Sequence, residues 1–253
     1  MENISSLENQ KIKKLKKLSL KKYREQYALF LVENFVILKD ALESGEEPEE
    51  VYLTKIFITK DADKYEYIKE RVDENKIYVI DTKINKHVSS LDTPSGLVAV
   101  FGISEKKVNT EKSVIYLNGV SDPGNLGTIL RTCVAFGFEN IVCDAKCADI
   151  YNPKTISASK DSIFKVRVEK DNDLNFLKTT FMPIYVSDVS VGEKISNFSF
   201  PEKYVLVFGS ESHGVDKEVT ALAQNKLNIQ ISEKIESLNV SSAVSIFLYE
   251  IRK

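Results

Sequence analysis

Metal-binding and disulfide-forming residues are scarce in this sequence. Its 253 residues include two histidines, three cysteines and no tryptophan. Cys143 and Cys147 lie close together, but two thiols alone are weak evidence for zinc, and we expect no metal. An odd, sparse set of cysteines favours a reducing cytoplasm over a disulfide-rich secreted fold. No apolar run is long enough to cross a bilayer, so we expect no membrane association.

The composition is that of a folded chain whose charge is unevenly distributed. Hydrophobic residues make up 43% and charged residues 28%, which allows a sizeable core, and the length suits two domains. The net charge of −2 gives no overall argument for nucleic acid. Between Met1 and Arg24, however, eight basic residues accompany only two acidic ones. This segment is either an RNA-contacting surface or, as is commoner for lysine runs, a solvated helix face.

The N-terminal part alternates between helical and strand patterns. Ile12, Leu15 and Leu18 recur at helical spacing with lysines between them, which predicts an amphipathic helix with a basic face. Strands are predicted at Tyr27–Val32, Val51–Thr59, Lys76–Ile80 and Ser95–Gly102, and helices at Glu33–Ser44 and Lys64–Glu74. The expected unit is a small α/β domain over residues 1–104, followed by a polar linker at 105–112.

Residues 113–253 alternate again between apolar strands and helices. Strands are predicted at Val114–Leu117, Asn140–Cys143, Lys165–Val168, Pro183–Ser187, Tyr204–Phe208 and Leu227–Ile231. Helices are predicted at Asn125–Phe136, Pro153–Ser162, Asp171–Lys178, Asp216–Ala223 and Asn239–Arg252. This alternation predicts a mostly parallel sheet covered on both faces, in which ligands bind beyond the carboxyl ends of the strands.

The loop "SDPGNLG", Ser121 to Gly127, follows the first of these strands. It is turn-forming, offers Asn125 as a helix cap, and lacks both the Walker pattern and Gly-x-Gly-x-x-Gly. Arg131 lies one helical turn beyond it, in an otherwise apolar segment. From spacing alone a structural ion pair or a solvent-reaching side chain is slightly favoured over a functional role.

Two more polar loops follow predicted strands. "GSESHG", Gly209 to Gly214, carries one carboxylate, Glu211, and suits a tight turn or a ligand site equally. Ser237, Leu238 and Asn239 precede the last helix, where serine or asparagine could simply cap exposed N–H groups. Capping does not explain why three polar loops should all fall at strand ends of one sheet.

Together, these loops resemble the motifs of the SpoU family of RNA 2′-O-methyltransferases, within the SPOUT class. "DPGNLGTILRTCVAFG" is similar to the first motif, "VLVFGSESHGV" to the second and "SLNVSSAVSIFLYEIRK" to the third, in the same order. The N-terminal half, through "LKKYREQYALFLVEN" and "LDTPSGLVAVF", more loosely resembles the family's L30e-like substrate-binding domain.

The resemblance implies a trefoil-knotted catalytic domain, dimerisation through that domain, and S-adenosylmethionine as methyl donor. The cofactor site would be lined by Gly209, Ile229 and Leu238. The polar catalytic cluster would comprise Asn125, Arg131, Glu211, Ser237 and Asn239. The substrate would be RNA, with ribosomal RNA favoured over transfer RNA because of the additional N-terminal domain.

The expected chemistry requires alignment of a ribose hydroxyl with a methyl group. A guanidinium can hold a phosphate through paired hydrogen bonds and stabilise a developing alkoxide, whereas an arginine base is implausible. We therefore expect Arg131 to anchor and stabilise, and we assign no general base. RNA contacts are predicted for Lys13, Lys14, Lys16, Lys17 and Arg24.

Two other classes of function compete with this interpretation. A non-catalytic RNA-binding or ribosome-assembly factor would not need Arg131 or Asn239, and both are present. A Rossmann-type small-molecule methyltransferase is disfavoured by the missing glycine fingerprint. Departures from the family pattern bear on substrate choice more than on chemistry; they lie at Ser157, Asp161, Gln230 and Glu233.

Overall fold

The computed structural model describes residues 1–104, 106–189, 191–210 and 212–253. The chain divides into two compact units, one from Met1–Ser104 with Tyr151–Ser157, the other from Glu105–Ile150 with Ala158–Lys253. A short segment distant in sequence is thus grouped with the N-terminal residues. Residues 106–112, within the predicted linker, lie in neither a helix nor a strand.

The first unit is built on a mixed five-stranded sheet. Its strands are β1 (Glu2–Ile4), β2 (Leu29–Val32), β3 (Glu50–Thr54), β4 (Ile77–Ile80) and β5 (Leu97–Gly102). Its helices are α1 (Gln10–Lys17), α2 (Lys21–Tyr27), α3 (Phe35–Glu43), α4 (Lys55–Lys60), α5 (Ala62–Arg71) and α6 (Thr82–Val88). The strand order is β1-β4-β3-β5-β2, parallel from β1 to β3 and antiparallel on either side of β5.

The predicted amphipathic helix is confirmed, although it is interrupted. The side chain of Asn9 caps α1 by accepting from the Lys11 amide, and Ile12, Leu15 and Leu18 are fully buried in the core. The chain leaves the helix at Leu18, and α2 begins three residues later. The single predicted helix is therefore two helices, whose lysines lie on the side away from the buried leucines.

The second unit is built on a seven-stranded sheet. Its strands are β6 (Val114–Asn118), β7 (Asn140–Asp144), β8 (Arg167–Asp171), β9 (Ile184–Ser187), β10 (Glu193–Lys194), β11 (Val205–Gly209) and β12 (Asn225–Asn228). Its helices are α7 (Pro123–Ala135), α9 (Ser162–Lys165), α10 (Asn175–Thr179), α11 (Lys217–Thr220) and α12 (Val240–Arg252); α8 (Pro153–Ser159) begins in the segment grouped with the first unit.

The strand order of this sheet is β10-β12-β9-β11-β6-β7-β8, and every pairing is parallel. Strands β6, β7 and β11 are buried throughout, as expected for a parallel sheet covered on both faces. One face packs against α10 and α11 through Leu177 and Val219. On α12, Phe247 meets Phe208 edge-to-face, with ring centroids 5.3 Å apart. The predicted α/β class and parallel sheet are confirmed.

Several predicted boundaries were wrong for local reasons. The strand predicted over Val51–Thr59 ends at Thr54, because the Thr54 hydroxyl accepts from the Phe57 amide and caps α4. The helix predicted over Pro153–Ser162 is broken at Lys160, which has a φ of 57°. Lys165 ends α9 rather than opening a strand, and the helix predicted from Asp171 begins at Asn175.

Candidate active site

The loops that follow β6, β7 and β11 leave the sheet at one edge. Asn118 at the end of β6 lies opposite Gly209 at the end of β11, and Leu117 lies opposite Cys143 in β7. Because all pairings are parallel, the carboxyl ends of β9 and β12 lie along this edge too. The three polar loops follow β6, β11 and β12, so all three leave the sheet at this edge, where ligands bind in such sheets.

Helix α7 begins with Asp122 as its cap. The Asp122 side chain accepts from the Asn125 amide at 2.7 Å, and Pro123 occupies the first turn. The expectation that Asn125 caps this helix was wrong, because Asn125 lies inside the first turn. Its side-chain oxygen instead accepts a hydrogen bond from Asn239.

Arg131 is on the exposed stripe of α7, not in its buried face. Leu126, Ile129 and Leu130 are fully buried, while Arg131 and Thr128 are exposed. Among the residues that the structure describes, no hydrogen bond or ion pair holds the Arg131 guanidinium. Spacing alone favoured a structural ion pair or a solvent-reaching side chain. No ion pair of Arg131 is formed among the described residues, and its exposure agrees with the second of these alternatives.

The first and third loops are joined by a hydrogen bond between two amide side chains. Asn239 Nδ2 donates to Asn125 Oδ1 at 3.0 Å. Asn239 Oδ1 also caps α12 by accepting from the Ser241 amide at 2.9 Å. The capping role left open for Asn239 is therefore confirmed, and it coexists with a contact to the helix that carries Arg131. Ser237 is exposed two residues before Asn239.

The second loop is closed at its neck by two backbone hydrogen bonds. Ser210 N donates to Gly214 O at 3.0 Å, and Gly214 N donates to Ser210 O at 2.9 Å. A Cβ at Gly209 would overlap the backbone of Gly214 and Val215, so only glycine permits this close approach. Glu211, predicted to be catalytic, lies outside the described residues.

The three predicted cofactor positions fit the adenosine part of S-adenosylmethionine. Gly209 is buried at the end of β11, while Ile229 and Leu238 are half-buried aliphatic residues. Residues 229–238 lead from the end of β12 to Asn239, which hydrogen-bonds Asn125 after β6. An apolar surface bordered by backbone polar groups suits a flat heteroaromatic ring.

A buried polar network beneath these loops was missed by sequence reasoning. Asn118 is 2% exposed and hydrogen-bonds both Asp144 and Asp216, which come from the segments after β7 and β11. The pKa of the Asp216 carboxyl is held below its ordinary value, chiefly by the hydrogen bond from the Lys146 ammonium and secondly by the hydrogen bond from Asn118. The only signal in the sequence was that each of these residues ends or follows a strand.

Most of the predicted RNA-contacting residues are on the solvent side of α1. Lys13, Lys16 and Lys17 are exposed and Lys14 is half-buried. Arg24 requires a correction: it is 3% exposed and its Nη1 donates to the Leu18 carbonyl at 2.7 Å. A buried guanidinium bound to the backbone cannot reach a phosphate, so Arg24 stabilises the α1–α2 turn.

The cysteines are all free, and burial raises the pKa of the Cys133 thiol. The pKa of the Cys147 thiol is raised mainly by a hydrogen bond with Cys143 and, to a smaller extent, by burial. Its Sγ lies 3.2 Å from the Leu117 carbonyl oxygen. Within the described ranges, no group of three or more histidine, cysteine or acidic side chains could hold a metal ion. No helix formed by those residues is both long and apolar enough to span a membrane.

Comparisons with known proteins match both halves of the chain. Residues 112–249 match the SpoU rRNA Methylase family, and residues 9–99 match the MRM3-like substrate binding domain. The 23S rRNA (guanosine(2553)-2′-O)-methyltransferase RlmP of Bacillus subtilis is 30% identical over the whole of both chains. The mitochondrial rRNA methyltransferase 3 of Mus musculus is 25% identical over 90% of this chain and 68% of its own length.

Solved structures show the same fold. A putative RNA methyltransferase of the TrmH family from Porphyromonas gingivalis has a TM-score of 0.82 and 29% identity, covering 98% of each chain. An AdoMet-bound rRNA methyltransferase from Sinorhizobium meliloti has a TM-score of 0.83 and 23% identity, covering 99% of this chain and 97% of its own.

The parallel sheet with three polar loops at one edge, together with these matches, defines an enzyme that methylates RNA ribose 2′-hydroxyls with S-adenosylmethionine as donor. The chain belongs to the SpoU rRNA methylase family. The resemblance of the three motifs and of the N-terminal half is thereby confirmed.

Proposed function

We propose that this chain methylates a ribose 2′-hydroxyl of ribosomal RNA, and that Arg131, Asn125, Asn239, Ser237 and Glu211 form its catalytic cluster. The observation that carries the proposal is the Asn239–Asn125 hydrogen bond, which joins the third loop to the helix that carries the exposed Arg131 side chain. The name of the Bacillus subtilis relative makes large-subunit ribosomal RNA the first substrate to test.

The proposed mechanism divides the work between cofactor and side chains. S-adenosylmethionine, held at Gly209, Ile229 and Leu238, supplies the electrophilic methyl group. The Arg131 guanidinium grips a phosphate beside the target ribose and stabilises the charge that develops on its 2′-oxygen. Asn239 and Asn125, each held by the other, orient the ribose. Alignment of this kind contributes about 7–11 kcal/mol in favourable cases.

RNA contact is proposed for the exposed side of α1. Lys13 forms an ion pair with Glu8 at 2.5 Å, while Lys14 and Lys17 have their ammonium groups near the rings of Tyr27 and Tyr23. Lysines interleaved with half-buried tyrosines offer phosphates and unpaired bases a mixed surface. Lys16 adds a further exposed cation.

We also propose a homodimer formed through the second unit, a trefoil knot in its chain, and a cytoplasmic location. Support for the dimer comes from Ile246 and Tyr249, which are 38% and 57% exposed on α12. Support for the knot comes from the family match and from the hydrogen bond between Asn239, which lies after β12, and Asn125, which lies after β6.

The function is tested by mapping 2′-O-methyl groups in total RNA from cells with and without the gene. One ribosomal RNA position should lose its methyl group in the deletion strain and regain it when the gene is returned. The purified chain should methylate the same position in unmodified transcript. A loss confined to transfer RNA would favour the alternative substrate, and no loss in either RNA would favour a non-catalytic RNA-binding factor.

A further inference from the structure

We propose that Asn118 is a positioning residue for methyl transfer: its buried amide locks the Gly209–Gly214 loop and the loop after β6 into one arrangement. The inference rests on the proposed role of the Gly209–Gly214 loop in holding the cofactor. Asn118 ends β6 directly opposite Gly209, and its side chain lies beneath the point where both loops begin.

Both ends of the Asn118 amide are used. Nδ2 donates to Asp144 Oδ2 at 2.7 Å and to Asp216 Oδ2 at 2.9 Å, while Oδ1 accepts from the Asp216 backbone amide at 2.7 Å. The two donors of one amide therefore separate two carboxylates that would otherwise repel each other. Only a neutral side chain with both donors and an acceptor can make these three bonds.

Asp144 extends the network to the loop that leads into α7. Its Oδ1 accepts from the backbone amides of Gly119, Lys146 and Cys147, each at 3.0 Å. Asp144 is 7% exposed, so the loss of these bonds cannot be offset easily by water. Gly119 opens the loop that contains Asp122, the cap of α7, and thus precedes the helix that presents Arg131.

Asp216 extends the network to the second loop. It follows Gly214 by two residues, and the Lys146 ammonium donates at 2.7 Å to Oδ2, the same carboxylate oxygen that Asn118 contacts. The loop is thus closed at its neck by the Ser210–Gly214 pair and anchored just beyond by Asn118. A Cβ at Gly119 would lie 3.7 Å from the Ser210 Cβ, so the two loops are in contact.

The test uses a variant of nearly the same shape, Asn118→Asp. It keeps the oxygen that accepts from the Asp216 amide, but it replaces the Nδ2 group that donates to Asp144 and Asp216 with an oxygen, which places a third carboxylate beside these two. We expect S-adenosylmethionine to bind about tenfold more weakly by calorimetry, the penalty typical of an unsatisfied buried polar group. Hydrogen exchange of residues 209–216 should be faster in the cofactor-free protein. Because the variant could fail to fold, Asp144→Asn serves as a milder second test of the same bond.

Asn140→Asp is the matched control, because Asn140 is also a buried asparagine of this sheet. It is 2% exposed, begins β7 at the opposite edge, and accepts from the Asn109 amide at 2.7 Å. Its variant should lower the melting temperature without changing cofactor affinity or exchange at 209–216. Equal effects of Asn118→Asp and Asn140→Asp would make Asn118 merely structural and overturn the proposal.

A polarity-reversed double variant completes the test. Asn118→Asp/Asp144→Asn restores a hydrogen bond between the two side chains with donor and acceptor exchanged, and keeps the acceptor for Gly119 N. Position 118 in this double variant no longer donates to the Asp216 carboxylate, so we expect cofactor affinity to rise above that of Asn118→Asp without reaching that of the parent. No recovery, or unchanged affinity in both single variants, contradicts the proposal. If the parent protein does not bind S-adenosylmethionine, the cofactor assignment is wrong. Hydrogen exchange of residues 209–216 in the cofactor-free protein would still show whether Asn118 holds the loop in place.

Discussion

Arg131 shows how a charge can interrupt an apolar helix without being buried. The helix packs its core residues on one side and presents Arg131 on the other, with no partner among the described residues. An exposed guanidinium adds little to the stability of the fold, because water solvates it in the folded and the unfolded state alike. Its place on α7, the helix that Asn239 contacts through Asn125, is the reason to propose a substrate-binding role for it.

Replacement of Arg131 by lysine or alanine should slow methyl transfer severely without unfolding the protein. Lysine keeps the charge but not the paired donors, so both variants should lose about 10²–10³-fold in kcat, as for loss of a charge-stabilising donor. Cofactor affinity and melting temperature should stay close to those of the parent. Arg167→Ala is the control, because Arg167 is exposed at the amino end of β8. Near-normal turnover in Arg131→Ala would remove Arg131 from the catalytic cluster.

Helix α1 is an element whose buried and exposed sides have separate roles. Ile12 and Leu15 fix it to the core, so its lysines can be changed without loss of packing. Glutamine in place of lysine preserves helix propensity while removing charge. The element can therefore be tested for RNA binding independently of its contribution to the fold.

Neutralising the lysines of α1 should weaken RNA binding and its salt dependence together. For single-stranded RNA, the slope of log K against log salt should flatten by about 0.7 for each phosphate contact removed. Fluorescence anisotropy at several KCl concentrations measures this slope. The variant replaces Lys13, Lys14, Lys16 and Lys17 with glutamine.

Four exposed lysines elsewhere in the first unit provide the charge-matched control. Their replacement should leave the slope unchanged, since the net charge change is identical but the location differs. An equal loss of slope in both variants would show that overall charge, not α1, drives binding. The control residues are Lys55, Lys60, Lys69 and Lys83.

Helices and strands are predicted best from the sequence where the apolar pattern extends over many residues. The strands β6, β7 and β11 were predicted to within a residue at each end, because each is a continuous apolar run. Strands β1 and β10 were missed, since Glu2–Ile4 and Glu193–Lys194 have no periodic pattern and form only through pairing with β4 and β12. Tertiary contacts, not local propensity, define such edge strands.

The candidate site was predictable only in part, for a similar reason. Motif resemblance predicts Asn125, Arg131 and Asn239 as site residues, and this assignment stays a prediction. The resemblance did not reveal the Asn118–Asp216 bond, because these residues are 98 positions apart and belong to different strand ends. The burial of Arg24 likewise depended on the turn between two helices, which a single predicted helix had concealed.

At the scale of the whole molecule, an apolar surface on α12 remains exposed. Ile246→Lys should convert the proposed dimer to a monomer, because a lysine at the centre of an apolar contact must be desolvated without a partner. Light scattering after size-exclusion chromatography measures the mass directly. Methyl transfer should fall with the dimer fraction if the second subunit completes the site.

Phe181→Lys provides the control for this surface. Phe181 is fully exposed at 104% and lies before β9, at the amino edge of the sheet. The same substitution there should leave the mass unchanged. A monomeric parent, or a dimer that persists in Ile246→Lys and dissociates in Phe181→Lys, would contradict the proposed interface.

The pairing of β6 with β11 also bears on how the chain is made. Val114 lies beside Val205, yet synthesis at about 5–20 residues per second separates their emergence from the ribosome by several seconds. During that interval β6, buried throughout in the finished protein, has one edge and two apolar faces without their final neighbours. The nascent chain is therefore vulnerable to aggregation until β11 emerges, and its yield should depend on chaperone capacity and on translation speed between these strands.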